Sequence, residues 1–222
     1  MTPPARVAVF DLDGTISASD TFLLYLWGWL RQHPRRCLQS WRLPAALARY
    51  LFGGFDRGRF KSDLLRVVIG PAGRAELMAW SEAFVAGLAP PFLHVQALAA
   101  IRRHREAGDR LVLLSASVDL YVPLIGARLG FDETICTGVA WEGDRLDGRL
   151  TTANRRGDEK RRVIETLRER LPDATFAAYG NAGSDFAHLT SVEEPLLVNA
   201  SAGARRRGKR LGLPTADWSG AN

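Results

Sequence analysis

Two aspartates one residue apart close a short apolar, β-branched run: residues 6–15 read RVAVFDLDGT, with Gly14 and Thr15 directly behind Asp11 and Asp13. In an extended segment the side chains at i and i+2 point the same way, so both carboxylates face one pocket at the mouth of a strand. Their repulsion is relieved when a divalent cation neutralises one of them, or when one keeps its proton and serves as an acid. The same residues also fit a plain Asp-Gly turn at a strand end. Further polar positions follow: Ser115 closing LVLLS, Lys160 in GDEKRRV, and Asn181 with Asp185 in GNAGSD. Together these suit phosphoryl transfer assisted by a hard divalent ion with oxygen ligands. Taken singly, Ser115 also reads as a helix N-cap and Lys160 as a solvated lysine.

Such positions meet in one crevice only on an open parallel sheet, where ligands bind beyond the carboxyl ends of the strands. The hydrophobic pattern predicts that sheet. Strands over 7–10, 110–114, 176–179 and 196–198 alternate with helices over 92–107, 118–129 and 158–170, and 131–151 holds short strands around Glu142-Gly143-Asp144. Between the first strand and residue 92 only helix-compatible stretches occur: 21–30, 37–52, 56–70 and 72–88. His33-Pro34 and Gly53-Gly54 break them, and Pro90-Pro91 closes them. The expected fold is therefore α/β: a Rossmann-like, doubly wound parallel sheet formed by 1–16 and 93–222, with an inserted all-helical cap over 17–92.

With 46% hydrophobic and 24% charged residues, the 222-residue composition is that of an ordinary globular protein. Cys37 and Cys136 match neither a disulfide framework nor a zinc spacing, and the residues before Asp11 lack a signal-peptide core, so a cytoplasmic setting is expected. The net charge of +6 is unevenly spread. Residues 21–60 carry seven arginines against the single acid Asp56, together with three of the six tryptophans. A helix pair of that composition either packs as the core of the insertion or lies peripherally in an anionic membrane interface at the inner membrane face. The arginine-rich tail beyond Gly203 reads as a solvated helix, and no nucleic-acid partner is expected.

The motifs FDLDGT, LVLLSAS, GDEKRRVIETL and YGNAGSD, in that order, resemble the four signatures of the haloacid dehalogenase (HAD) superfamily in its phosphatase branch. The resemblance spans nearly the whole chain. The insertion after the first motif and the stretch LLSASVDLYVPLIGARLGFDETICTGVAWEGDRLDGRL are similar to the phosphoserine-phosphatase-like subgroup. The resemblance implies a Mg²⁺-dependent phosphatase in which Asp11 attacks phosphorus and Asp13 is the acid and base. Ser115 and Lys160 would hold the phosphoryl group, with Gly14, Thr15 and Ala116 beside them. Mg²⁺ would be held by Asp11, the main-chain carbonyl of Asp13, and Asn181 with Asp185. Asn181 stands where such enzymes most often carry an aspartate, so weaker metal affinity follows.

Asp20 and Arg66 correspond by spacing to the acid and arginine with which phosphoserine phosphatases hold their substrate. Asp20 is equally an N-cap for a helix starting at Thr21. The cap sequence is also similar to the phosphatidylglycerophosphatase C branch, which acts on a lipid phosphate. The substrate is accordingly a small phosphorylated metabolite such as phosphoserine or a lipid phosphate such as phosphatidylglycerophosphate. The alternative is a non-catalytic basic module that binds membrane or nucleic acid.

Overall fold

A computed structural model describes residues 6–52, 54–88 and 92–220. The expected breaks at Gly53 and Pro90-Pro91 lie outside the described residues. The chain runs β1 (Arg6–Phe10), α1 (Thr21–Gln32), a 3₁₀ segment (Pro34–Arg42), α2 (Leu43–Phe52), α3 (Arg57–Leu64), a π turn (Leu65–Ile69) and α4 (Arg74–Ala86). It continues through α5 (Val95–Glu106), β2 (Arg110–Val118), α6 (Val122–Leu129), β3 (Glu133–Thr137), β4 (Val139–Glu142) and β5 (Arg145–Leu150). The remaining elements are α7 (Asp158–Arg170), β6 (Thr175–Gly180), α8 (Phe186–Leu189), β7 (Glu194–Val198), α9 (Ala202–Arg210) and β8 (Thr215–Ala216).

Six strands form one parallel sheet in the order β3-β2-β1-β6-β7-β8. The Rossmann-like, doubly wound expectation holds, and the alternation in β1 shows why. Val7 and Val9 pack with Val163, Ile164 and Leu167 of α7 on one face. Ala8 and Phe10 pack with Ala97, Ala100 and Ile101 of α5 and Ile125 of α6 on the other. Buried on both faces, β1 reads as a continuous apolar run. The chain leaves β1 for β2 on one side and returns to β6 on the other, which opens a crevice at the carboxyl end of β1.

Some boundaries differ from the sequence expectation. Strand β2 continues beyond Leu114 to Val118, which pairs with Thr137, and α6 starts at Val122 rather than Val118. Pro123 in the first turn of α6 sets that start, since its fixed φ suits a helix beginning and its missing N–H costs nothing there. The stretch 37–52 is a 3₁₀ segment followed by a helix, because Leu43-Pro44 begins a new helix instead of continuing one. Helix α3 ends in the π turn, stopped at Gly70 with φ +65°.

Between β1 and α5 the chain is helical, as expected. Phe22, Tyr25, Leu26 and Trp29 form a buried stripe on α1 at helical spacing. The antiparallel β4–β5 hairpin grips this region from the sheet side. Ser62 Oγ donates to the Gly148 carbonyl at 2.8 Å, and Leu146 N–H donates to the Ala72 carbonyl at 3.0 Å. Gly148 (φ +80°) permits the approach, because a Cβ there would lie 3.1 Å from Arg66 Cγ.

Candidate active site

The end of β1 delivers Asp11 into the crevice, and its N–H still pairs with the Tyr179 carbonyl of β6 at 3.0 Å. Lys160, in the first turn of α7, donates to Asp11 Oδ1 at 2.6 Å and to Asp185 Oδ1 at 2.7 Å. All three side chains are buried. The second oxygen of Asp185 accepts the N–H groups of Asn181 and Ala182 at 3.0 and 2.9 Å, which ties the loop after β6 to this floor. Thr15 Oγ1 donates to Asp11 Oδ2 at 3.2 Å.

Burial pushes the Asp11 carboxyl up to about 7 against the pull of the Lys160 ammonium, with the Asp185 and Asp13 charges adding to the rise. Burial would raise Asp185 too, but Lys160 holds it down at about 2. The lysine itself is kept charged by its two carboxylates, despite burial. A floor with more carboxylate than cation favours either a proton or a metal ion.

Asp13 is held separately, at the start of α1. Its Oδ1 accepts from Thr21 N–H at 2.7 Å and from Thr21 Oγ1 at 2.6 Å, and its Oδ2 accepts from Ser117 Oγ at 2.7 Å. The Tyr121 hydroxyl backs Thr21 at 3.0 Å. Burial raises the pKa of Asp13 in spite of these bonds, so the group is disposed to carry a proton. Gly14 has φ +82°, and a Cβ on it would lie 1.9 Å from Asn181 Nδ2. The glycine therefore brings the Asn181 carboxamide against the Asp11–Asp13 loop.

Could these residues hold Mg²⁺? Among the described residues no group of three or more His, Cys, Asp and Glu is arranged around a metal position. The available donors are hard oxygens: the Asp11 carboxylate, the Asp13 carbonyl and the Asn181 carboxamide. Mg²⁺ is commonly held by one or two carboxylates with waters and substrate phosphate completing its shell, so this set fits it. A soft metal it does not fit.

The cavity above the floor measures about 490 Å³. Of the residues singled out from sequence, Asp11, Asp13, Gly14, Asp20, Ala116, Lys160, Asn181 and Asp185 line it. Thr15 and Ser115 do not; both are fully buried just behind it, and Ser115 Oγ accepts the Ser117 N–H at 3.0 Å. Arg66 lies elsewhere: its guanidinium bonds the carbonyl and carboxylate of Asp147 on the hairpin, at 3.1 and 3.3 Å. Asp20 is the N-cap of α1, accepting from Leu23 N–H at 3.0 Å while still facing the cavity.

Several cavity residues were not anticipated from sequence. Lys61 of α3 reaches across to the Ala116 carbonyl and to Asn154 Oδ1. Burial lowers it to about 8, against Asp13 and Asp20, which favour its charge. Arg57, Arg156 and Ser117 also face the cavity. Only Ser117 had a signal, its place two residues beyond Ser115 on an apolar run; the others depend on how the helical region folds over the sheet.

Comparison with known proteins agrees with this fold. Protein CicA of Caulobacter vibrioides is 35% identical over 194 residues, covering 86% of this chain and 84% of that protein. A protein of unknown function from Bordetella pertussis Tohama I superposes with a TM-score of 0.82 at 25% identity, over 97% of this chain and 99% of that one. A phosphoserine phosphatase, solved as a phospho-aspartyl intermediate analogue, shares the fold with a TM-score of 0.68 at 11% identity, over 99% of this chain and 95% of that one. The family model for haloacid dehalogenase-like hydrolases matches residues 8–190, from the strand that carries Asp11 through the loop that carries Asp185, and the chain belongs to that family.

Proposed function

We propose that the protein is a Mg²⁺-dependent phosphomonoester hydrolase working through an aspartyl-phosphate. The observation that carries this reading is the buried Asp11–Lys160–Asp185 group beside a separately held Asp13. Burying three charges is costly, and a binding module for membrane or nucleic acid would gain nothing from it.

In this reading an Asp11 carboxylate oxygen attacks phosphorus, and the bond to the leaving oxygen breaks. Asp13, protonated, gives its proton to that oxygen and releases the alcohol. It then takes a proton from the water that attacks the aspartyl-phosphate, so inorganic phosphate leaves and Asp11 is restored. Lys160 and the Ser117 and Thr21 hydroxyls keep both carboxylates oriented, with Ser115 behind them. Mg²⁺, held by Asp11, the Asp13 carbonyl and Asn181 with Asp185 close behind, would offset charge on the phosphoryl oxygens.

Residues 17–92 act as a cap that selects the leaving group. Its wall over the cavity is apolar, with Phe22, Leu23, Tyr50, Phe60 and Leu64. Outside, Leu38, Trp41, Phe52 and Phe55 are exposed, and Phe52 is 90% so. Phe55 is held there in a left-handed conformation (φ 59°) that a bulky residue rarely adopts. Exposed aromatics among arginines favour a substrate presented at an anionic membrane surface, a lipid phosphate over phosphoserine. Among the described residues no helix is long and apolar enough to cross a membrane, so the contact is peripheral.

The test is phosphate release from p-nitrophenyl phosphate, phosphoserine and phosphatidylglycerophosphate, with Mg²⁺ or EDTA. Metal-dependent turnover that Asp11→Asn reduces by at least about 10³-fold is expected. Turnover that survives the substitution overturns the mechanism. Failure to co-sediment with anionic liposomes at low salt overturns the membrane reading.

A further inference from the structure

The floor charges of the cavity are all partnered. Lys160 is shared by Asp11 and Asp185, Asp13 is bonded by Thr21 and Ser117, and Asp20 caps α1. The wall facing that floor is different. Arg57, in the first turn of α3, and Arg156, in the loop before α7, both line the cavity, and neither guanidinium has a hydrogen bond or ion pair among the described residues. Arginines nearby do find carboxylates: Arg155 pairs with Glu159 at 3.6 Å, Arg49 with Asp63 at 3.0 Å, and Arg66 with Asp147. Lys61 lies four residues after Arg57, so the two cations share one helix face, an arrangement that is unfavourable with nothing between them.

Arg156 is exposed overall, and on its cavity side partial loss of solvent and then Arg57 disfavour its charged form, while the more distant Asp185 and Asp11 favour it. Lys61 in turn senses Arg156. Cations that repel one another across one cavity, with no carboxylate bonded to either guanidinium, fit an anion bound between them. Two guanidiniums offer more donors than a carboxylate can accept, and their planar forks match phosphate oxygens. A phosphoryl group bound at Asp11 and Lys160 is already served by the floor. The apolar wall, with Phe22, Tyr50 and Phe60, covers what lies between.

From this juxtaposition, and resting on the phosphomonoesterase reading, we infer that Arg57 and Arg156, with Lys61, form a second anion subsite for a second phosphate group on the leaving group. The substrate class is a phosphomonoester whose alcohol carries another phosphate, as a monoester or a diester. A water-soluble bisphosphate and a lipid with a phosphodiester next to its terminal phosphate both satisfy that chemistry.

Matched pairs separate the two sources. Fructose 1,6-bisphosphate is compared with fructose 1-phosphate, and phosphatidylglycerophosphate with phosphatidic acid in mixed micelles, using the unmodified protein and Arg57→Gln/Arg156→Gln. In one pair the two-phosphate member should be preferred by at least roughly tenfold in kcat/KM, and the double substitution should abolish the preference through KM, as loss of charge-assisted bonds implies. The pair that responds identifies the source. Equal kcat/KM within both pairs, or a preference untouched by the substitution, overturns the subsite while turnover of p-nitrophenyl phosphate keeps the phosphatase reading standing. Should nothing turn over, calorimetric binding of the same four compounds decides: tighter binding of a two-phosphate member, lost in the double variant, supports the subsite, and equal binding overturns it. The single variant Arg57→Gln, at an exposed position, guards against a folding defect and should show part of the same loss.

Discussion

The floor of the cavity and the helical region above it solve the problem of charge in opposite ways. On the floor Asp11, Lys160 and Asp185 are buried and matched: one ammonium between two carboxylates, with backbone N–H groups taking the remaining oxygen of Asp185. In the helical region the Arg57 guanidinium has no partner among the described residues, and Leu38 and Phe52 stand in water. A closed charge network fixes positions to within a hydrogen bond, as proton and phosphoryl transfer require. Unspent cations and exposed apolar groups are free energy held back for something that arrives later. In the proposed reading, chemistry sits on the sheet, and recognition on the insertion together with Arg156 of the loop before α7.

If the floor is a closed network, removing its cation is the most damaging change. Lys160→Met should cost about 3–5 kcal/mol of stability by leaving Asp11 and Asp185 as buried, unpaired carboxylates. Urea denaturation measures this. A loss below about 1 kcal/mol would mean that the floor is solvated and the contrast with the cap is false. Activity should vanish in the same variant.

A smaller effect follows from Asp11 itself. Its folded pKa, about 7, lies above the ordinary carboxylate value, so between roughly pH 4 and 7 the folded state binds more protons than the unfolded one. Without metal, stability from this group is present at low pH and is lost as pH rises through 7. Asp185, held near 2, behaves oppositely and contributes only above the ordinary carboxylate range, losing that contribution as pH falls toward 2. Added Mg²⁺ should therefore raise the melting temperature more at pH 8 than at pH 5, by a few degrees at about 100 times its Kd. Equal shifts at both pH values would place the ion elsewhere. Asn181→Asp sharpens this: another carboxylate at the loop after β6 should tighten Mg²⁺ binding by about tenfold and lower metal-free stability at pH 8.

The same division explains what the sequence disclosed. Asp11, Lys160 and Asp185 lie at the ends of apolar runs or at a helix start, where the alternation of strand and helix dictates position, so the fold and most of the floor were legible. Ser115 was legible as a strand-end residue, but the extension of β2 to Val118 gives the cavity-facing hydroxyl to Ser117. The cavity wall was not legible. Lys61 and Arg156 are 95 residues apart in sequence, and nothing local says that α3 folds back over the loop before α7. Asp20 was legible in both its readings, since an N-cap side chain at the start of α1 also faces the cavity.

Arg66 is the residue on which sequence spacing and geometry part, and it gives the mildest prediction. The resemblance to phosphoserine phosphatases assigns it to a substrate carboxylate. The close approach of Gly148 hands its guanidinium to Asp147 instead, where Arg149 also competes for the carboxylate at 2.5 Å. An exposed ion pair of this kind contributes about 0–1 kcal/mol. Arg66→Gln should therefore change stability by less than about 1 kcal/mol and leave KM for every phosphomonoester within about twofold, because the side chain is not part of the cavity. A selective rise in KM for phosphoserine, with other substrates unaffected, would bring Arg66 into the site and would require the hairpin to release it when substrate binds. That outcome would also erase the contrast drawn between floor and cap, since the helical region would then hold a partnered cation set aside for catalysis.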